Sequence, residues 1–197
     1  MAEKDIVIPA LNLKGMLVTI KGETPLLVNR FSERSIESIE DKQQKKAKAP
    51  KSAREPEREF MDACHRLPDG AFAFPCAGIK KSLVAAGGRF GDEKMTRLRG
   101  ALNIMGDLLP IIGPEPTMRT DTIRLQSGVT SIAYRPAFFP WALHVPVRYN
   151  ASILEEAQIL YLFQLAGFSI GIGAWRPENN GSFGQFALDE NSAVAAE

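Results

Sequence analysis

Three groups of residues in this chain have the types and spacing to hold an anionic ligand. The first is Gly171-Ile172-Gly173-Ala174-Trp175-Arg176, continued by Asn180-Gly181-Ser182-Phe183-Gly184. Glycines let a backbone approach a phosphate closely and present N–H donors to it. Trp175 offers a face on which a base can stack, and Arg176 suits a phosphate. The same glycines equally serve a tight helix-to-strand connection, and Trp175 equally serves to cap the core. The second group is Lys80 and Lys81, close behind Pro75 at a helix start, where backbone N–H groups and two ammonium groups attract anions. A solvated helix face is the alternative for that pair. The third is the run Lys42, Lys45, Lys46, Lys48, Lys51 and Arg54, of the kind that wraps polyanions, diluted by Glu40, Asp41, Glu55, Glu57 and Glu59. Arg89, Arg97, Arg99, Arg119, Arg124, Arg135 and Arg148 would join these groups only by sharing a face, which spacing does not decide.

Catalytic chemistry has few candidates. His65 and His144 are the only histidines, and each reads as structural more readily than as a general acid or base. The sequence contains no nucleophile elbow, paired-carboxylate motif or zinc spacing. No catalytic residue, metal or cofactor is assigned. Cys64 and Cys76 are the only cysteines, too few for a secreted disulfide scaffold, so a reducing, cytoplasmic setting is expected. Met1 to Pro9 lacks the apolar run of a signal peptide, and the apolar stretches are too short to span a membrane.

The formal charge of +1 over 197 residues hides an asymmetry. Residues 63–150 carry a surplus of +5, and residues 151–197 a deficit of −5. A polyanion partner for the middle section and head-to-tail contact between copies both fit that split.

The elements that position these residues follow from periodicity. Residues 15–28 alternate as a strand that Pro25 interrupts. Residues 31–59 lack an apolar face beyond Ile36 and Ile39 and read as a flexible insertion. A helix over 76–86 is expected to stop at Gly87-Gly88, and a second helix runs over 93–105. Strands follow over 118–125, 130–139 and 141–149. Ser152 with Glu155 reads as a capping box for the next helix. A last strand covers 183–188, and residues 190–197 read as a disordered tail. With the insertion set aside, the order approximates β-α-β-β-α-β in a single α+β domain spanning 1–197.

Three segments resemble the RAMP superfamily, which includes the backbone subunits of CRISPR effector complexes. The glycine-rich stretch 171–176, with Gly181-Ser182-Phe183-Gly184-Gln185-Phe186, resembles the C-terminal glycine-rich loop of that family. Phe74-Pro75-Cys76-Ala77-Gly78-Ile79-Lys80-Lys81-Ser82-Leu83 is similar to its helix start, although Ala77 and Gly78 stand where small hydroxyl residues are usual. Leu27-Val28-Asn29-Arg30 leads into the basic insertion, where many family members carry a mobile projection. The chain also resembles short proteins of phage and prophage genomes. The resemblance implies a ferredoxin-like RAMP-type domain with a long basic insertion after the first strand. It implies largely sequence-independent binding of single-stranded RNA or DNA, RNA favoured. Arg30, Lys42, Lys45, Lys46, Lys48, Lys80, Lys81, Gly171, Gly173, Trp175 and Arg176 would carry it, in a self-associating, filament-forming protein with no membrane partner. Two other functions stand beside that one. One is a metal-independent endoribonuclease using His65 or His144. The other is an interaction protein that mimics a backbone subunit.

Overall fold

A computed structural model describes residues 10–31, 33–45, 53–124 and 128–196. The alternating stretch folds as β1 (Leu13–Gly22), with Met16, Val18 and Ile20 buried and Leu17 facing out. After Pro25 come β2 (Leu26–Leu27), α1 (Glu33–Gln43) and α2 (Pro56–Asp62). The middle of the chain forms β3 (His65–Arg66), β4 (Phe72–Pro75), α3 (Cys76–Phe90) and α4 (Met95–Ala101). Then follow β5 (Leu102–Ile104), β6 (Leu108–Pro110), β7 (Thr117–Arg124) and β8 (Thr130–Phe138). The chain closes with β9 (Ala142–Asn150), α5 (Glu156–Ser169), a single 3-10 turn at Pro177–Asn179 and β10 (Phe186–Ala196).

The architecture is mixed α+β, built on antiparallel sheets. The main sheet runs β10-β1-β9-β5, and smaller sheets run β2-β8-β7 and β3-β4-β6. One face of the main sheet supplies Val18, Ile20, Leu143, Val145 and Val147 to a core that α3 and α5 complete with Ile79, Leu83, Ile159 and Phe163. Burial of these side chains, each worth about 1.5–3 kcal/mol, is the main force holding helices to sheet. No helix among the described residues is long and apolar enough to cross a membrane.

The structure departs from the periodicity in five places. Helix α3 continues through Gly87 and Gly88 to Phe90, because Gly87 is a packing residue: a Cβ there would collide with Leu98. The helix expected over 93–105 ends at Ala101, and Leu102–Ile104 instead pairs with β9 as an edge strand. Glu155 rather than Ser152 caps α5, in a box with Gln158, while the Ser152 N–H bonds Asn150 Oδ1 in the preceding turn. Helix α1 lies within 31–59, where straight-chain Glu, Lys, Gln and Arg favour helix. Finally, the strand expected to stop at 188 runs to Ala196, and Ala193 to Ala196 pair with Val18 to Gly15. The open edge of β1 offers those residues backbone partners whatever their side chains.

Two glycines test this packing with opposite signs. In α5, a Cβ on Gly167 would collide with the Phe186 carbonyl oxygen, whereas Gly100 in α4 faces open space. Gly167→Ala is expected to destabilise the fold by about 2 kcal/mol. Gly100→Ala is expected to stabilise it by about 0.5–1 kcal/mol. Urea denaturation measures both, and a stabilising Gly167→Ala would show that α5 and β10 do not pack as described.

Candidate nucleic-acid interface

The glycine-rich loop joins α5 to β10 and packs on β2. Gly171, Gly173 and Gly184 have φ of +69°, +81° and +67°, which a side chain tolerates poorly. Most of the loop's amides are engaged inside the protein. Gly171 N–H donates to Ala166 O at 2.7 Å, Ile172 to Gly184 O at 2.9 Å, Ala174 to Leu27 O at 2.8 Å and Gly184 to Pro25 O at 2.9 Å. The buried Ser82 hydroxyl of α3 donates to Gly171 O at 2.9 Å. Gly171 and Gly173 therefore shape the loop, with Ile172 buried in the core and the side chains from 174 to 180 part-exposed or exposed.

Trp175 is the most prominent of these. It sits at φ +55° with 44% of its surface exposed. Its ring centroid lies 5.9 Å from the Arg135 guanidinium carbon. Next to it, Arg176 pairs with Glu178 and donates to Gly173 O at 2.9 Å. Glu178 also receives Arg89 of α3 at 2.8 Å. Burial alone would raise the Glu178 carboxyl, but the hydrogen bond from Arg176 and the charges of Arg176, Arg89 and Lys81 outweigh it and hold it below the usual value.

On the other side of Trp175 stands the β7–β8 hairpin. Arg119 and Arg135 are directly opposed across it, with Asp121 on the same face. Arg119 Nε donates to Asp121 Oδ1 at 2.7 Å, and the Arg119 guanidinium stacks 4.7 Å from the Phe183 ring centroid. Five cations (Lys81, Arg89, Arg119, Arg135 and Arg176) thus gather about the loop against two carboxylates, Asp121 and Glu178. Sequence spacing left Arg89, Arg119 and Arg135 undecided and missed Glu178 and Asp121, because only the tertiary fold and the hairpin register bring them in. Trp175, Arg176 and Phe183 in the loop were the local signals.

Other predicted residues lie elsewhere. Lys80 turns away from Lys81, as consecutive helical residues do, and its ammonium bonds Asn103 Oδ1 of β5 at 2.5 Å. Arg30 is half-buried near His65, its N–H donating to Ala63 O at 2.9 Å. Lys45 follows α1 at φ +56°. Lys42 lies in α1, but its side chain, like Lys46, Lys48 and Lys51, falls outside the described residues. His65 lies in β3, where burial and then Arg30 lower its pKa. His144 lies on the outer face of β9, with Nδ1 2.9 Å from Thr19 Oγ1. The two histidines occupy separate sheets. Cys64 and Cys76 are buried and free, and burial pushes the Cys64 thiol up to about 11.

No protein-family profile and no curated protein matches the chain. Among solved structures it is similar to that of Cmr6 from Pyrococcus furiosus, at 11% identity and a TM-score of 0.47, over 91% of this chain and 100% of that one.

Glu178 anchors the cationic side of the loop, and its depressed pKa fixes the pH window in which it does so. Its stabilising effect is full above the ordinary glutamate value of 4.5 and is lost as pH falls through the lower folded value. Glu178→Gln is expected to lower the melting temperature at neutral pH. The gap from wild type is expected to close as the pH drops below about 4.5. Thermal melts across that range check this, and a gap constant with pH would contradict it.

Proposed function

We propose that this chain is a RAMP-like protein that binds single-stranded nucleic acid, RNA favoured, largely independently of sequence. The observation that carries this reading is the exposed Trp175 ring set among five cations at the glycine loop. Guanidinium and ammonium groups address phosphates, which carry no sequence information, and a tryptophan face stacks on any base. Two further features support it. The main sheet, counted by its own strands, runs fourth, first, third, second, with α3 and α5 packed on one face, an order that supports a ferredoxin-like reading. The glycine loop also falls where the sequence resembles the RAMP superfamily.

The outer face of the main sheet is a weaker candidate. Its central strands present Leu17, Thr19, His144, Pro146 and Arg148, with no Phe, Tyr or Trp to stack on a base. Lys81, Trp175 and Arg176 are therefore the principal contacts of this proposal. Arg30, Lys45 and Lys80 would extend the phosphate path beyond the loop, and Lys42, Lys46 and Lys48 keep the phosphate-binding role that the resemblance implies. Head-to-tail self-association has less behind it. Four of the six acidic residues beyond 150 (Glu155, Glu156, Glu178 and Asp189) are engaged within the chain as a helix cap, a tyrosine partner and ion pairs.

Fluorescence gives a direct test. Trp141 is 2% exposed and donates to Thr24 O at 2.9 Å, whereas Trp175 is 44% exposed. Single-stranded RNA is expected to quench the Trp175 emission, and affinity is expected to fall as salt rises. Trp175→Ala is expected to weaken binding roughly tenfold. Lys81→Glu should weaken it further and flatten the salt dependence. Absence of binding at low salt, or Trp175→Ala and Lys81→Glu both binding as wild type, would overturn the proposal.

A further inference from the structure

Asp121 and Arg135 are the only charged residues among the buried side chains of the described residues, at 8% and 9% exposure. They approach without meeting: Arg135 Nη1 lies 3.6 Å from Asp121 Oδ2, an ion pair without a hydrogen bond. Among the described residues, three buried side-chain polar atoms have no hydrogen-bond partner, and all three belong to this pair: Asp121 Oδ2, Arg135 Nε and Arg135 Nη1. Buried charges are costly to leave in that state. The deficit has a definite chemistry. Arg135 Nε and Nη1 lack an acceptor, and Asp121 Oδ2 lacks a donor. Bare phosphate would satisfy only the arginine, and the carboxylate would repel it. A hydroxyl next to a phosphate satisfies both.

We propose that Asp121 and Arg135 form a ribose-reading pair. It would take the 2′-hydroxyl of an RNA nucleotide on Asp121 Oδ2 and the adjoining phosphate on Arg135, so that the site selects RNA over DNA. This rests on the nucleic-acid reading above and names the sugar that the site recognises. The surroundings fit one nucleotide. Trp175, whose ring faces the Arg135 guanidinium, stacks on the base, while Arg119 is held over Phe183 and bonded to the other oxygen of Asp121. Arg119 thereby orients the carboxylate and leaves Oδ2 for the hydroxyl. Entry requires the exposed Trp175 ring to turn off the guanidinium, a side-chain motion that needs no rearrangement of the sheet. The 2′-hydroxyl, donor and acceptor at once, is the group that distinguishes RNA from DNA at any protein site.

The experiment compares labelled oligouridine with its 2′-deoxy and 2′-fluoro analogues of equal length, by anisotropy, on wild-type protein and on Asp121→Ala. The 2′-fluoro sugar keeps the ribose pucker and removes only the donor. Wild type is expected to bind RNA roughly tenfold more tightly than either analogue. Asp121→Ala is expected to bring all three to one affinity. A 2′-fluoro strand that binds wild type as tightly as RNA would overturn the proposal, as would an RNA preference that survives in a folded Asp121→Ala. If that variant does not fold, the wild-type comparison decides alone. If none of the three strands binds wild type, the nucleic-acid reading itself fails and the ribose-reading pair with it.

Discussion

Close backbone contact at the glycine loop holds the rest of the structure in place. The Leu27 carbonyl occupies the space where a Cβ on Gly173 would sit, and the Ile172 carbonyl does the same at Gly184. Ladders of N–H donors then tie the loop to α5, to β2 and to itself. Ser82 adds α3 through its buried hydroxyl. Three elements, β2, α3 and α5, therefore meet at one irregular segment. The positions of Trp175, Arg176 and Phe183 follow from that junction, and so does the distance between the β7–β8 hairpin and α3.

Charge is arranged by the same junction. The near-neutral total of the chain describes how its acids are distributed, not a lack of cationic surface. Glu178 sits between Arg176 and Arg89, and Asp121 sits between Arg119 and Arg135. Each carboxylate keeps two guanidiniums close together that would otherwise repel, as like charges opposed across an antiparallel pair do. The carboxylates thus concentrate positive charge in two places while lowering the sum.

The main sheet and its two long helices were legible because burial imprints a period: two residues along β1 and β9, three to four along α3 and α5. What stayed illegible was set by something other than side-chain period. Leu102 and Met105 continue a helical spacing from Leu98, yet the free edge of β9 draws Leu102–Ile104 into a strand. Ala193 to Ala196 carry no strand signal because their pairing with β1 is a backbone matter. Gly87 read as a stop and proved to be a contact surface for Leu98 and Leu162. At the candidate site, Trp175 and Arg176 stood out by type within a polar glycine loop. Their partners did not, because Asp121 meets Arg135 only through the hairpin register, and Arg89 meets Glu178 only after α3 and α5 have packed.

The pairing of β1 carries a temporal consequence. Both of its neighbours, β9 and β10, come from the last third of the chain, and the Thr19–His144 contact closes a span of 125 residues. During synthesis the first strand emerges with no partner available and must wait, its apolar face exposed, while α3, α4 and the β7–β8 hairpin form from local contacts. The main sheet is thus the last layer to assemble. Its nucleation is delayed until β9 is present, and the interval before then is when the nascent chain is most open to wrong partners.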